Sequence, residues 1–480
     1  MKYFTLLFGV AGILILLVSL NVIQLDNSVH TAEKSLIAEV DTIDQTYQTL
    51  CASCHGKKLN GFLDREWKRG KNKDSIMKTI NVGLVDLGMP AFGAALTDAQ
   101  MSGLADYVLK AAERESQYAF EEEEIKTDTF TTASFKYELD TIADGMESPW
   151  GLAFLPDGDM LITEKSGTLF RRGTDGKLTK VKGLPEVRDF GQGGLLDVEL
   201  HPDYDENNLV YLSYSKPKKE GGKTIGTTAI MKAELDGNEL VNAEDIFIAE
   251  PYSSKPYHFG SRLEFDRDGY LFFSVGDRGS RDENPQDLGN HCGKIHRVYD
   301  DGSVPDDNPF VNTEGAMPTI YSYGHRNPQG VAMNPVTGQI WSHEHGPRGG
   351  DEININRPGL NYGWPVISYG INYNGTTFTS ITEKEGMEQP LDYYVPSIAP
   401  CGMAFLTSDK YPGLENSLLV GSLKYQYCEL IKLDGEKIVG REKLLEGVGR
   451  VRNVRVGPDG YIYIAVEEPG KIFRLMPFGV

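Results

Sequence analysis

Short apolar runs that alternate with polar residues dominate the chain from about residue 135 onward. Each run ends at a tight turn such as Pro-Asp-Gly and resumes as a second run. Period-two alternation interrupted by Gly, Pro and Asp predicts β-hairpins rather than helices. Six copies of one strand–turn–strand phrase begin at Gly151, Asp197, Arg262, Gly330, Gly402 and Asn453.

The spacing of these copies indicates the architecture. Successive copies start about 45 to 70 residues apart, which suits a four-stranded blade with insertions. A β-sandwich would rarely need six copies of one hairpin phrase, so we predict an all-β six-bladed β-propeller over residues 135–480. The longest polar, glycine-rich insertions follow the third and fourth copies. Because propeller insertions line one face around the central axis, a site is expected on that face.

A helical pattern precedes the propeller. Residues 41–50 and 73–82 fit helices, and the stretch from Thr97 to Gln100 is a capping box that opens a third. We therefore predict a small all-α domain over residues 40–113. An acidic, Thr-rich linker over residues 114–134 then leads to the propeller.

The N-terminus carries an apolar segment. Lys2 is followed by twenty residues without a charge, 4–23, which as a helix span about 30 Å, the thickness of a bilayer core. The segment lacks a clear Ala-x-Ala cleavage site, which favours an uncleaved transmembrane anchor over residues 1–25. A cleaved signal segment is the alternative. An uncleaved anchor would place the chain on the periplasmic or extracytoplasmic face of the inner membrane. A cleaved signal segment would leave it soluble in the periplasm.

The helical region contains a c-type haem motif, Cys51-Ala-Ser-Cys54-His55. Its two thiols can form thioethers with haem, and His55 is placed to ligate the iron. A zinc site would need further Cys or His ligands, and the next histidine is His201. The motif therefore predicts covalent haem and maturation outside the cytoplasm.

The second axial ligand is predicted to be Met89. It lies in a loop before Pro90 and is free to turn toward the iron, whereas Met77 lies inside the second helix and Met101 is expected in the core of the third. In these features the region resembles the small class I cytochromes c.

The net charge of the chain limits the ligands that it can bind. This charge is −21, and the sequence has no basic run, which argues against binding to nucleic acid. Arg326, Lys424, Arg450 and Arg452 nevertheless bring positive charge to the inner ends of different blades. They predict an anionic ligand, and a small polycarboxylate fits best because guanidinium groups pair bidentately with carboxylates.

Two further features concern calcium and cysteine. A turn at Gly346-Pro347 exposes carbonyl oxygens beside Asp351 and Glu352, a hard donor set that suits calcium. Beyond the haem pair, three cysteines remain in an oxidising compartment, so at most one disulfide can form among them. The sequence leaves open whether any does, and the simplest interpretation is three buried thiols. They are Cys292, Cys401 and Cys428.

From about residue 140 to 478 the chain resembles the soluble quinoprotein glucose/aldose sugar dehydrogenases, six-bladed propellers that bind pyrroloquinoline quinone. The resemblance rests on Gly191-Gln192-Gly-Gly-Leu-Leu, Asp306-Asp-Asn-Pro, Gly324-His-Arg-Asn-Pro-Gln-Gly, Asp351-Glu-Ile-Asn and Asn361-Tyr-Gly-Trp-Pro. It implies that His258 is the general base. It implies quinone contacts at Gln192, Arg326, Asn327, Tyr373, Lys424, Arg450 and Arg452. It implies one calcium on the backbone oxygens of Gly346 and Pro347, and a second, structural calcium at Glu352 and Tyr362.

The expected function is therefore oxidation of aldoses to lactones, with electrons passing from the quinone to the fused haem and on to a respiratory acceptor. One departure bears on the substrate: glucose-oxidising members carry an acidic residue before the histidine, and here that residue is Tyr257. Sorbosone or another aldehyde or alcohol remains an alternative substrate. A non-enzymatic binding propeller with a redox-sensing cytochrome is a further alternative. Some members of the family that the chain resembles have long insertions that support dimerisation. The sequence lacks these insertions, so a monomer is expected.

Overall fold

The computed structural model describes residues 43–51, 69–84, 89–113, 129–373 and 377–478. It divides into two compact units, one helical and one built of β-sheets. The predicted anchor over residues 1–25 lies outside the described residues, and among those that are described no helix is long and apolar enough to cross a membrane.

The helical unit contains the three predicted helices. They are α1 (Ile43–Leu50), α2 (Lys73–Val82) and α3 (Asp98–Glu113). The Asn72 side chain caps α2 by accepting the amide of Ser75 at 3.0 Å. The predicted capping box is confirmed, because Thr97 and Gln100 exchange side-chain-to-amide hydrogen bonds of 2.9 and 3.2 Å.

The helices pack around an apolar core. It consists of Tyr47, Ile76, Ile80, Leu96, Met101, Leu104, Ala105 and Val108. Met101 is 4% exposed, which confirms its predicted place in the core. The alternation of these residues at three and four positions along α3 explains why that helix buries one face.

Six antiparallel sheets form the second unit, which confirms the predicted six-bladed propeller. The first three are β3–β6 (Pro149–Phe154, Met160–Glu164, Thr168–Arg172, Leu178–Val181), β7–β10 (Leu195–Leu200, Leu209–Glu220, Lys223–Asp236, Glu239–Ile248) and β11–β14 (Leu263–Phe265, Leu271–Val275, Lys294–Val298, Ile320–Tyr323). The next two are β15–β18 (Pro328–Met333, Ile340–Glu344, Asp351–Asn356, Asp392–Tyr394) and β19–β22 (Pro400–Phe405, Leu418–Ser422, Tyr427–Asp434, Lys437–Leu444). A short helix, α4 (Tyr204–Asn207), joins β7 to β8.

The sixth sheet closes the ring with strands from both ends of the propeller. It orders β1 (Thr129–Thr131), β2 (Lys136–Ala143), β25 (Lys471–Pro477), β24 (Ile462–Glu467) and β23 (Arg450–Val456). Strand β2 pairs antiparallel with β25, so main-chain hydrogen bonds join the N-terminal and C-terminal strands of the propeller within one blade. Strand β1 lies inside the range predicted as linker.

The first strands of the blades surround the axis. Each of β3, β7, β11, β15, β19 and β23 contacts the first strand of the next blade. Antiparallel pairing places the start of each first strand at the same end as the close of its second strand. Loops at this end therefore converge, and they contain most of the predicted site residues.

Candidate active site

His258 lies in the loop that leads into β11, in a strained backbone conformation. Its φ is 60°, in the left-handed region that non-glycine residues seldom occupy. The amide of His258 donates to Oε1 of Gln192 at 2.8 Å, and the amide of Gln192 donates to the carbonyl of Pro256 at 2.7 Å. These reciprocal bonds fix the histidine against the loop before β7.

The imidazole pairs with Asp277, which follows β12. Nδ1 of His258 lies 2.6 Å from Oδ1 of Asp277, and the two side chains are 13% and 1% exposed. The same Oδ1 accepts the amide of Gly279 at 2.7 Å. Because a carboxylate only accepts, Nδ1 carries the proton and Nε2 is left as the acceptor.

The electrostatics of this pair favour a neutral imidazole beside a charged carboxylate. Burial is the main cause that lowers the pKa of His258, Arg326 lowers it further, and Asp277 opposes both. Burial alone would raise the pKa of Asp277, but His258 and Arg326 hold that pKa below its ordinary value. His258 can thus accept a proton at neutral pH.

Arg326 and Asn327 lie at the start of β15. The carbonyl of Arg326 accepts the amide of Asp277 at 2.7 Å, and its guanidinium donates to the carbonyl of His345 at 3.1 Å. Oδ1 of Asn327 accepts the amide of Gly260 at 3.1 Å. The structure therefore connects Gln192, Arg326 and Asn327 to the His258 loop.

A second basic group lies on β23. Arg452 is bonded to Glu467, with its Nη2 2.6 Å from Oε1, and Arg450 approaches the same carboxylate at 3.4 Å. Burial opposes ionisation of Glu467, but Arg452 and then Arg450 hold its pKa below the ordinary value. Glu467 thus neutralises part of the positive charge of Arg450 and Arg452, two of the residues predicted to bind an anionic ligand.

The buried thiol of Cys401 lies beneath Arg452. Its Sγ is 3.3 Å from Nη1 of Arg452 and 3.3 Å from Nη2 of Arg262. Cys292, Cys401 and Cys428 are all buried and free, which agrees with the interpretation of three buried thiols.

Lys424 and Tyr373 are the predicted cofactor residues that the structure leaves on exposed loops. Lys424 follows β20 with its ammonium 5.1 Å from the ring centroid of Tyr425, and Tyr373 is 67% exposed. Their assignment as cofactor residues stays a prediction.

The Gly346-Pro347 turn follows β16. The amide of Gly346 donates to Oδ1 of Asp351 at 2.8 Å, while Oδ2 of Asp351 accepts the amides of Ile398 and Ala399. Asp351 therefore holds the turn and is not free for a cation. In the described part of the chain, the carbonyls of Gly346 and Pro347 accept no hydrogen bond, and a hard cation fits such buried oxygens.

A second oxygen-rich cluster contains Glu344, Glu352 and Asn354. The Asn354 amide nitrogen donates to Glu344 at 3.2 Å and to Glu352 at 3.3 Å. Burial, and then the charge of Glu344, raise the pKa of Glu352 well above its ordinary value. Oδ1 of Asn354 is buried without a hydrogen-bond partner among the described residues. This donor set fits a hard cation that would neutralise the two carboxylates.

Tyr362 lies near this cluster through His325, on which its ring stacks with centroids 4.7 Å apart. His325 in turn bonds Glu344, with Nδ1 2.8 Å from Oε1. The Tyr362 hydroxyl donates to the carbonyl of Ile355 and accepts the amide of Arg357. A cation at Tyr362 would therefore use another atom of this residue.

The described part of the haem region contains Cys51 and Met89. Met89 forms an antiparallel bridge with Leu84, with amide–carbonyl distances of 2.9 and 3.1 Å. The bridge fixes the backbone of Met89, the predicted ligand. Cys54 and His55 lie outside the described residues.

The sequence interpretation missed two residues, Asp277 and Trp364. The indole Nε1 of Trp364 donates to Oδ2 of Asp277 at 3.0 Å, across 87 positions of the chain. The one local signal for Asp277 is an acidic residue two positions after β12, the buried second strand of the third blade. Trp364 lies within the Asn361-Tyr-Gly-Trp-Pro motif, but no local pattern assigns it a partner.

Tyr257 lies next to His258, the predicted base. Its side chain is 38% exposed, and its ring centroid lies 5.1 Å from that of His258. A Cβ added at Gly279 would approach Tyr257 Cε2 to 2.2 Å, so the ring packs directly on that glycine. An aromatic ring therefore lies beside the imidazole of His258.

Comparison with known proteins supplies the family. Residues 146–474 match the family model for glucose / sorbosone dehydrogenase, and residues 38–108 match that for cytochrome C oxidase, cbb3-type, subunit III. The chain is 41% identical over 347 residues to the aldose sugar dehydrogenase YliI of Escherichia coli, covering 71% of this chain and 92% of that protein.

Solved structures agree. The apo-form of the soluble aldose sugar dehydrogenase from Escherichia coli is 40% identical with a TM-score of 0.67, covering 71% of this chain and 99% of that one. The PQQ-bound aldose sugar dehydrogenase from Streptomyces coelicolor is 28% identical with a TM-score of 0.59, covering 72% and 100%. The chain therefore belongs to the glucose/sorbosone dehydrogenase family, as an oxidoreductase that carries a cytochrome c domain ahead of its propeller.

Proposed function

We propose that this protein oxidises aldose sugars to lactones with pyrroloquinoline quinone and calcium, and passes the electrons to its own c-type haem. The observation that carries the proposal is the buried His258–Asp277 pair on the propeller face, with Arg326 beside it. The PQQ-bound relative and the aldose sugar dehydrogenase from Escherichia coli support the choice of cofactor and substrate class.

The chain's own residues would divide the work as follows. Nε2 of His258 accepts the proton of the anomeric hydroxyl, while Asp277 holds the ring and stabilises the imidazolium that forms. The sugar loses this proton and the hydride of C1, and a lactone results. When bound, the quinone supplies the carbonyl that accepts the hydride.

Positive groups and backbone oxygens would hold the cofactors. The quinone would be held by basic, amide and phenol side chains, namely Gln192, Arg326, Asn327, Tyr373, Lys424, Arg450 and Arg452, with the basic groups pairing with its carboxylates. Calcium would use the carbonyls of Gly346 and Pro347, and a structural calcium would use Glu352 with Tyr362.

The haem would carry the electrons outward one at a time. His55 and Met89 would hold the haem iron, and a respiratory carrier or oxidase would be the acceptor. Covalent haem attachment favours the periplasmic or extracytoplasmic face, where residues 1–25 would anchor the chain in the inner membrane.

Met89→Leu is expected to alter the haem spectrum and potential, whereas Met77→Leu in α2 is the matched control and keeps both. An unaltered spectrum in Met89→Leu would refute that ligand.

The test of the proposed function is a substrate panel. The purified full chain is loaded with pyrroloquinoline quinone and calcium, and reduction of the haem band is followed after addition of D-glucose, D-galactose, D-xylose, L-sorbosone or ethanol. Aldoses are expected to reduce the haem. Failure of every aldose, or reduction by sorbosone or ethanol alone, would overturn the assignment.

A further inference from the structure

Trp364 is fixed in place from several sides. Its amide donates to the carbonyl of Gly324 at 2.8 Å, and its carbonyl accepts the side-chain amide of Gln286 at 2.8 Å. The ring meets Phe378 edge-on with centroids 5.2 Å apart. The side chain is 7% exposed, so the direction of its indole N–H is set by packing.

That N–H meets the free oxygen of the carboxylate that orients the base. Oδ1 of Asp277 faces His258 at 2.6 Å, and Oδ2 accepts the Trp364 indole at 3.0 Å. The two bonds lie on opposite oxygens, so together they fix the rotation of the carboxylate about its χ2 angle. We propose that Trp364 is a positioning residue, whose indole N–H holds Asp277 in the orientation that His258 requires. This inference rests on the proposed function.

A neutral donor suits this place because the surroundings already carry positive charge. The groups that face His258 are Asp277, Arg326 and Arg278, and Arg326 also lies over the Trp364 ring, 5.4 Å from its centroid. A cationic donor in place of the indole would neutralise the Asp277 carboxylate and weaken its support of the imidazolium. The indole orients the carboxylate and leaves its charge in place.

Trp364→Phe removes the N–H and keeps an aromatic ring in the cavity. We expect kcat with D-glucose to fall on the order of tenfold, as is usual when a residue that orients a functional group is removed. KM should stay within about twofold, because the sugar's ground-state contacts are untouched.

The pH profile supplies a readout that loss of packing would not move. Without the indole, the Asp277 carboxylate is free to rotate away from the imidazole, and its charge and hydrogen bond, which raise the pKa of His258, act less strongly. The pKa of His258 therefore falls, and the acidic limb of kcat/KM moves to lower pH. The imidazole ¹⁵N shifts of His258, assigned by their loss in His258→Ala, report the same movement without any turnover.

Trp341→Phe is the matched control. Trp341 is a fully buried tryptophan on β16, and its indole N–H has no hydrogen-bond partner in the part of the chain that the structure describes. The same atoms are removed there without loss of a hydrogen bond, so kcat and the acidic limb should match those of the wild type.

A double-mutant cycle with Asp277→Asn tests the route of the effect. If Trp364 acts through Asp277, Trp364→Phe causes no further loss of kcat in the Asp277→Asn background. An independent, additive loss in that background would overturn the inference. So would a lower melting temperature with both the kinetic limb and the ¹⁵N titration of His258 unmoved. Wild-type protein that does not oxidise aldoses would instead refute the proposed function, while the ¹⁵N titration would still test the Trp364 bond.

Discussion

Two buried regions on the propeller contain carboxylates, and their electrostatics are opposite. Around His258, the carboxylate of Asp277 meets an imidazole, an indole N–H and a backbone amide, and its pKa is held below the ordinary value. Around Glu352, a second carboxylate, that of Glu344, lies close by, and the pKa of Glu352 is raised well above its ordinary value.

The two regions differ in whether the chain itself supplies partners for a buried negative charge. A buried charge is tolerated when the protein supplies its partners, and it is costly when a like charge is the neighbour. The His258 region has its partners within the chain and is organised for proton transfer. The Glu344–Glu352 region has a surplus of negative charge and an unpartnered Asn354 oxygen among the described residues, as expected of a site completed by a cation.

The largest expected effect comes from removing the base. His258→Ala should lower kcat for aldose oxidation by about 10³-fold, within the range for loss of a general base. Both cofactors should remain bound, because the haem and the basic residues are unchanged. Steady-state haem reduction by D-glucose measures the loss, and quinone and haem absorbance provide the control. Activity within a few-fold of wild type would remove His258 from the mechanism.

A smaller loss is expected when only the partner of the base is changed. Asp277→Asn keeps the shape of the side chain and removes its charge, so kcat should fall by about 10- to 100-fold. Since the negative charge raises the pKa of His258, its removal should move the acidic limb of kcat/KM to lower pH. A limb that moves upward, or does not move, would contradict the role given to Asp277.

The cation region is tested by stability rather than by rate. Calcium should raise the melting temperature of the wild-type protein, because a ligand that binds only the folded state stabilises it. Glu352→Gln should lose most of this increment. Glu383→Gln, which changes an exposed glutamate, is the control and should keep it. An equal increment in all three proteins would place the calcium elsewhere.

The smallest effect concerns the wild-type pH profile. Folding lowers the pKa of His258 below the ordinary value, chiefly through burial, so the acidic limb of kcat/KM should lie below about pH 6.5. The unfolded chain binds this proton more tightly, so the contribution to stability is complete above that pH and declines as the pH falls through the folded pKa. A limb at or above about pH 6.5 would mean that the base is not buried as described.

Local patterns predicted much of this molecule. The capping box at Thr97 and Gln100, the helix over residues 73–82 and the six hairpins follow from residues close together in sequence, so the fold could be predicted. The Asp277–Trp364 bond could not, because its partners are far apart and no local pattern requires them to meet. Asp351 and Glu352 are neighbours on β17, yet only the fold shows that the first is occupied by four donors and the second is not.

The proposed function requires that hydride leaves the aldose at the propeller and that the electrons reach the haem of the same chain. Anaerobic stopped-flow mixing of the loaded full-length protein with D-glucose or its C1-deuterated form, at several protein concentrations, tests it directly. The haem band should be reduced at a rate independent of protein concentration, and deuterium at C1 should slow the step severalfold. Absence of sugar-dependent reduction, or a rate proportional to protein concentration, would contradict it.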